Sequence, residues 1–194
     1  MHSPFVFGLV SKGFHKKQPL ITDVKYDPVA GLDNATLNVL FKTIGYFKSY
    51  KLIVLGEDET TAAVAETVRL AAEEISAKIW FYSTYVPVPG GVDLAILTGK
   101  DKNILLPLFD QLKQNVNNNS VTVVANIHES DAMDEAWEAI KKDPNVTVTI
   151  DTYHLGLLFF RKEQQKQHFV IRHFKSKMLD TVLGIRTLWG LLLR

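Results

Sequence analysis

The residues best equipped for chemistry sit in one turn near the middle of the second half. An apolar run, Val121 to Ile127, leads into His128-Glu129-Ser130-Asp131, an imidazole with two carboxylates and a hydroxyl beside it. An imidazole in such a turn can act as a general base near neutral pH, and it can equally serve as a solvated or capping residue. Three other short apolar runs end in polar turns of the same kind. Lys51 to Leu55 is followed by Gly56-Glu57-Asp58-Glu59-Thr60-Thr61, Lys78 to Tyr85 carries Ser83 and Thr84 near its end, and Val92 to Leu97 gives way to Thr98-Gly99-Lys100-Asp101. Ligands of open α/β sheets bind outside the carboxyl ends of the strands. The turns therefore mark a candidate site in which His128 is the catalytic candidate and Gly56, Glu57, Asp58, Ser83 and Thr98 line a cofactor pocket. Cysteine is absent, so disulfides, thiolate metal sites and cysteine nucleophiles are excluded.

The elements that must position these turns follow from periodicity. Val121 to Ile127 is short and rich in β-branched residues, as buried strands are. Met133, Ala136, Trp137 and Ile140 then recur at helical spacing until Pro144 stops the helix. Val146, Val148 and Ile150 alternate with Thr147, Thr149 and Asp151, the period of a half-covered strand. Leu155 to Phe160 follows closely enough to pair with it as an antiparallel hairpin. Upstream, Asp33 or Asn34 can cap a helix whose inner face holds Leu37, Leu40, Phe41, Ile44 and Phe47. The helix after Gly56 turns Val64, Val68 and Ala71 or Ala72 inward, and Ile75 with them. Asn103 is the expected cap of a helix facing inward with Leu105, Leu108, Phe109 and Leu112, in which Pro107 falls about one turn from the start.

The second half of the chain resembles a group of class I S-adenosylmethionine-dependent methyltransferase-like proteins of Bacteroidetes-type bacteria. That group carries a pattern like D-D-I-H-W-S-x-x-M-x-x-A-W-x-x-I, then V-T-V-T-I-D, then G-x-x-F-F-R-x-E-Q-x-K. The matching residues are Ile127-His128, Met133, Ala136-Trp137, Ile140, Val146 to Asp151, Gly156, Phe159-Phe160-Arg161, Glu163-Gln164 and Lys166. His2-Ser3-Pro4-Phe5-Val6-Phe7 is similar to the group's opening. The resemblance implies a three-layer Rossmann-like sandwich, a mostly parallel sheet with an antiparallel last strand, and S-adenosylmethionine as cofactor.

Departures from the pattern cluster at the cofactor motifs. Relatives have a glycine-rich loop like E-L-G-T-S-L-G where this chain keeps only Gly56, followed by three acids. A Cβ keeps backbone from approaching a ligand closely, and acids there repel the cofactor's carboxylate while favouring the helix start itself. No carboxylate stands at Ser83 for ribose hydroxyls. Relatives carry one more strand–helix unit between this point and Val92, which Pro87, Pro89, Gly90 and Gly91 replace with a direct turn. Thr98 stands for an acid near the reacting methyl group, and Ala125-Asn126 for two acids, so the three positions that hold a divalent ion by resemblance lack carboxylates. No metal site is expected. The function implied is that of a methyltransferase-like protein degenerate in cofactor binding and catalysis, with two alternatives: an active small-molecule O-methyltransferase with an altered pocket, or a non-enzymatic binding or regulatory protein.

The 194 residues suit a single methyltransferase-like domain, with 46% apolar content and a net charge of +1. That balance gives no reason to expect nucleic acid as a partner. Met1 leads straight into HSPFVFGLV without a basic leader or cleavage pattern, and no run reaches the ~20 apolar residues of a membrane span. A cytoplasmic location is expected. Residues 1–31 form an N-terminal segment whose aromatics either pack on the domain or cover the site. From Phe174 to Arg194 the chain is amphipathic, with Met178, Val182, Ile185, Trp189 and Leu192 on one face. That face can pack on its own domain or form a homodimer; its weakly polar opposite side argues against a membrane surface.

Overall fold

The computed structural model describes residues 3–15, 32–56, 59–74, 80–82 and 88–171. Glu57, Asp58 and Ser83 lie outside the described residues, as does the whole stretch from Phe174 to Arg194. Among the described residues seven strands form one sheet: β1 (Lys51–Leu55), β2 (Trp80–Tyr82), β3 (Leu94–Leu97), β4 (Val121–Ala125), β5 (Val148–Asp151), β6 (Leu155–Phe159) and β7 (Gln167–Val170), in the order β2-β1-β3-β4-β6-β5-β7. The pairs β1–β2, β1–β3 and β3–β4 are parallel, and β6 runs antiparallel to both β4 and β5.

Alternation along the strands divides the core in two. Leu52, Val54, Leu94, Ile96, Val121, Val123, Leu157 and Phe159 face α2 (Asn34–Phe47) and α3 (Glu59–Glu74), together with a short N-terminal helix α1 (Pro4–Gly8) and the π-helical turn after it (Leu9–Phe14). Ile53, Leu55, Ala95, Leu97, Val124 and Leu158 face α4 (Lys102–Leu112) and α5 (Asp131–Lys142). The result is the expected three-layer α/β sandwich. Eleven residues, 83–93, separate β2 from β3 in the chain, and β1 lies between those two strands in the sheet. Val88 and Val92 pack beneath that crossover in the second core, and a tight turn with Gly90 and Gly91 at positive φ is closed by Gly91 N–H on Val88 O at 2.9 Å.

Two expectations change. Asp101, not Asn103, caps α4: its backbone is extended and its carboxylate accepts from the N–H groups of Asn103 (2.7 Å) and Ile104 (3.1 Å). A carboxylate at the cap reaches two orphan donors at once, which an Asn one position into the helix cannot do. The antiparallel strand β6 is also not the last in the chain. β7 follows it and lies parallel to β5 at the edge, held by Gln167 N–H on Thr147 O (2.8 Å), Ile171 N–H on Asp151 O (2.7 Å) and the Thr149–His168 side-chain bond (2.8 Å). β5 is accordingly flanked by strands on both sides, and Thr149 is 1% exposed.

The opening and closing motifs meet in space. Ser3 caps α1 with Pro4 in its first turn. Phe5 meets Phe159 edge-on at 4.9 Å, and the Arg161 guanidinium lies 4.0 Å over its ring. Phe159 ends β6, an antiparallel strand, so this packing lies at the amino edge of the parallel strands, away from the candidate site. In the described part of the N-terminal segment Phe5 and Phe14 pack on the domain, while Phe7 is 63% exposed.

Trp137 of α5 is fully buried against β6, where Gly156 lets it in: a Cβ there would sit 2.6 Å from Trp137 Cη2 and 3.0 Å from Ile127 Cγ2. Gly156→Ala is expected to lower stability by about 1–3 kcal/mol through overpacking. Trp137→Phe in the same chain should recover part of that loss in a double-mutant cycle read by urea denaturation.

Candidate functional site

Three neighbouring parallel strands, β1, β3 and β4, end side by side, and each hands its chain to a residue that packs on or bonds its neighbours. After β1, Gly56 takes φ +149, a conformation that L side chains rarely adopt. A Cβ at Gly56 would lie 1.8 Å from Thr98 Oγ1 and 2.7 Å from Thr98 O, so it is the turn after β3 that leaves Gly56 no room for a side chain. Thr98 is fully buried. Its hydroxyl donates to Leu55 O at 3.4 Å and shares a hydrogen bond of 2.8 Å with Thr61 Oγ1 in the first turn of α3. After β4, Asn126 takes the left-handed conformation (φ 56), its N–H donates to His154 O at 2.6 Å, and its side-chain Nδ2 donates to Thr60 Oγ1 at 3.4 Å. Asn126 and Thr60 are both buried. The start of α3 is thus bonded directly onto the ends of β3 and β4.

His128 stands beyond this row, between the first turn of α5 and the end of β5. Nε2 lies 2.7 Å from Asp151 Oδ2, and Nδ1 is hydrogen-bonded to Asp134 Oδ1. The Asp151 carboxylate is fixed on its other side by the N–H of Tyr153 at 2.8 Å. The Tyr153 ring lies 5.6 Å from the imidazole, tilted, and is largely exposed. Side-chain exposure is 28% for His128, 14% for Asp151 and 49% for Asp134. Burial alone pushes the imidazole toward the neutral form, but the hydrogen bonds to Asp151 and Asp134 outweigh it and raise its pKa above the ordinary 6.5. With both ring nitrogens bound to carboxylates, a base role for His128 requires one of those bonds to be released.

The structure therefore brings Gly56 and Thr98 into contact and places His128 in a separate cluster at the same edge. Reasoning from the sequence missed Thr61, Asp134 and Asp151. Asp151 was signalled as the end of the V-T-V-T-I-D match, whereas nothing marked Asp134 apart from its place in the first helical turn. Among the described residues no group of three or more His, Asp or Glu side chains is arranged to hold a metal ion.

If Thr98 is what holds Gly56 bare, Gly56→Ala should destabilise the fold by about 1–3 kcal/mol or more. Thr98→Ala should rescue it only partly, since the Thr98 carbonyl remains in the way; calorimetric unfolding of both variants measures this. A second expectation concerns pH. His128 has a raised pKa in the fold, so its contribution is full below about 6.5 and is lost as pH rises through the raised value. His168 has a lowered pKa, mainly through burial and then through Lys141 and Lys166, so its contribution is present above about 6.5 and is lost on acidification. His128→Gln should flatten the alkaline limb of stability against pH and leave the acid limb in place, as thermal melts from pH 5 to pH 9 would report (about the range in which imidazoles titrate).

No family model matches this sequence, and no curated protein matches it. Among solved structures, the SAH-bound methyltransferase PaMTH1 of Podospora anserina is similar over 84% of this chain and 98% of its own length, with a TM-score of 0.52 at 11% identity. The O-methyltransferase TomG from Streptomyces achromogenes, solved in complex with SAM, matches over 79% of this chain and 87% of its own (TM-score 0.42, 10% identity), and an O-methyltransferase from Bacillus cereus in complex with SAH over 66% and 82% (0.41, 10%). At these identities the likeness is one of fold, and the fold of this chain is the Rossmann-like sandwich of the class I methyltransferases.

Proposed function

We propose that this chain is a methyltransferase-like protein that has given up the methyl-transfer reaction and persists as a binding or regulatory protein. The observation that carries this reading is the direct bonding of the start of α3 onto the ends of β3 and β4, through Thr61 to Thr98 and Thr60 to Asn126. In this fold the cofactor lies over the carboxyl ends of the strands, beside the turn after the first of them. At Gly56 that turn is already in contact with Thr98. Neither Thr98, Ala125 nor Asn126 supplies a carboxylate for an ion or a reacting hydroxyl, so the described residues do not fit the metal-assisted form of the chemistry.

Under this reading S-adenosylmethionine has no built pocket, and any association of the chain with itself or a partner falls to other surfaces, among them the apolar stretch Phe174 to Arg194. The second reading, an active small-molecule O-methyltransferase with an altered pocket, has one observation in its favour: an imidazole, His128, stands at the edge where a base would be required.

Calorimetric titration of the full chain with S-adenosylmethionine and S-adenosylhomocysteine separates the two. Binding is expected to be no tighter than about millimolar, a free energy near −4 kcal/mol. A micromolar dissociation constant for either compound overturns the proposal and moves the weight to the second reading.

A further inference from the structure

The arrangement around His128 asks for more than a cap. Two carboxylates from different elements take both nitrogens of one ring: Asp134 from the first turn of α5, and Asp151 from the end of β5, 23 positions along the chain. Both acceptors can be satisfied at once only by the imidazolium, because a neutral imidazole has a single N–H. The two partners are not equivalent. Asp151 is held by the N–H of Tyr153 and is only 14% exposed, whereas Asp134 is 49% exposed and has water to turn to. Desolvation makes an abandoned carboxylate costlier at Asp151 than at Asp134.

We propose that His128 is a proton-operated latch between α5 and β5: doubly protonated it ties Asp134 to Asp151, and on losing a proton it keeps Asp151, releases Asp134 and presents Nδ1 as a free acceptor at the carboxyl edge of the sheet. The proton leaves from Nδ1 to solvent, no other bond breaks, and the ring remains as the Nε2–H tautomer. The open form is the one in which His128 can accept a proton from, or ligate, a molecule arriving at this edge. The surroundings favour the closed form below neutral pH. The other charged or titratable groups on the elements that meet here are Glu129 on the turn into α5, Asp131, Glu135 (bound by Lys102 at 2.7 Å), Glu138, Lys141 and Lys142 on α5, and Tyr153 and His154 on the turn after β5. Asp151 and Asp134 are the carboxylates that stabilise the imidazolium, and β7 with the residue after it brings Val170 and Ile171 to this end. The latch depends on this geometry and not on whether the fold binds S-adenosylmethionine.

Long-range nitrogen–proton NMR on the full chain labelled at histidine tests it, with His128→Gln used to assign the signal. The expected result is a doubly protonated ring near pH 6 that becomes the Nε2–H tautomer as pH rises, while amide protection in the first turn of α5 falls by about tenfold, the scale of one hydrogen bond to a charged group. Asp134→Asn, at a half-exposed position, should lower the midpoint of the titration and leave the neutral tautomer unchanged. Asp151→Asn should abolish the preference for Nε2–H. A ring that is neutral throughout, a neutral Nδ1–H tautomer in the wild type, or first-turn protection that ignores the titration would each overturn the latch.

Discussion

The contact between the Gly56 turn and Thr98 governs this structure more than any single hydrophobic residue does. Backbone of one strand end lies against the side chain of the next, at a distance that leaves no space for a Cβ. That contact holds Thr98 with its hydroxyl toward Thr61, and Thr61 belongs to the first turn of α3. The position of α3 over the sheet, and of Val64 and Val68 in the core beneath it, depends on how its first turn is seated. Gly56 and Thr61, on either side of the loop that joins β1 to α3, thus both meet Thr98. The same fold can hold a reactant or hold itself together at this place, and side chains on three turns decide which.

The two edges of the sheet are built differently. At the amino edge, Phe5, Phe47 and Phe159 meet in one aromatic cluster under Arg161, and Asp93 accepts from the N–H groups of Tyr50 (2.9 Å) and Lys51 (2.8 Å) to tie the entry of β1 to that of β3. An open groove of about 930 Å³ lies along this edge beside Lys113, Asn118, Asn145, Phe160 and Lys162. Its charges are largely engaged: Lys113 is shared between Asp110 and Asp143, and burial of the Asp143 carboxyl is outweighed by its bonds to Lys113 and Asn145, which lower its pKa. At the carboxyl edge the contacts are polar and pairwise, between hydroxyls, an amide and an imidazole. Polar contacts of this kind are directional, and the one at the imidazole responds to protonation, while the aromatic cluster at the amino edge rests on buried apolar area, which does not. Rigidity at one edge and responsiveness at the other is the division expected of a sheet that positions a site.

The matched motifs receive physical roles on this scaffold. Trp137 and Gly156, which lie far apart in the sequence patterns, are the two halves of one packing contact. Phe5 from the opening motif is sandwiched by residues of the F-F-R match, and Glu163 from the same match accepts from Asn118 at 2.9 Å and pairs with Arg161. These contacts concern how the domain is closed, and they bear on the site only by fixing β4, β5 and β6 in register. The match in the second half therefore speaks for fold, and the turns at Gly56, Thr98 and Asn126 speak for chemistry.

By itself the sequence determined the layers. Helical spacing of Met133, Ala136, Trp137 and Ile140, the β-branched run at Val121 and the apolar run Val92 to Leu97 state which segments are buried, because such patterns are a property of neighbouring residues. It could not state β7, since an edge strand of Gln167, His168, Phe169 and Val170 shows no alternation and is held by backbone bonds to β5. It named His128 and Thr98 but not what they touch. Asp151 and Thr61 come to them from 23 and 37 positions away, distances over which no local pattern carries information. The glycine at 56 is visible in the sequence, and the folded sheet adds that a Cβ there would collide with Thr98. Which strand ends are neighbours is decided by the order β1-β3-β4, a tertiary fact, and the chemistry of this edge follows from that adjacency.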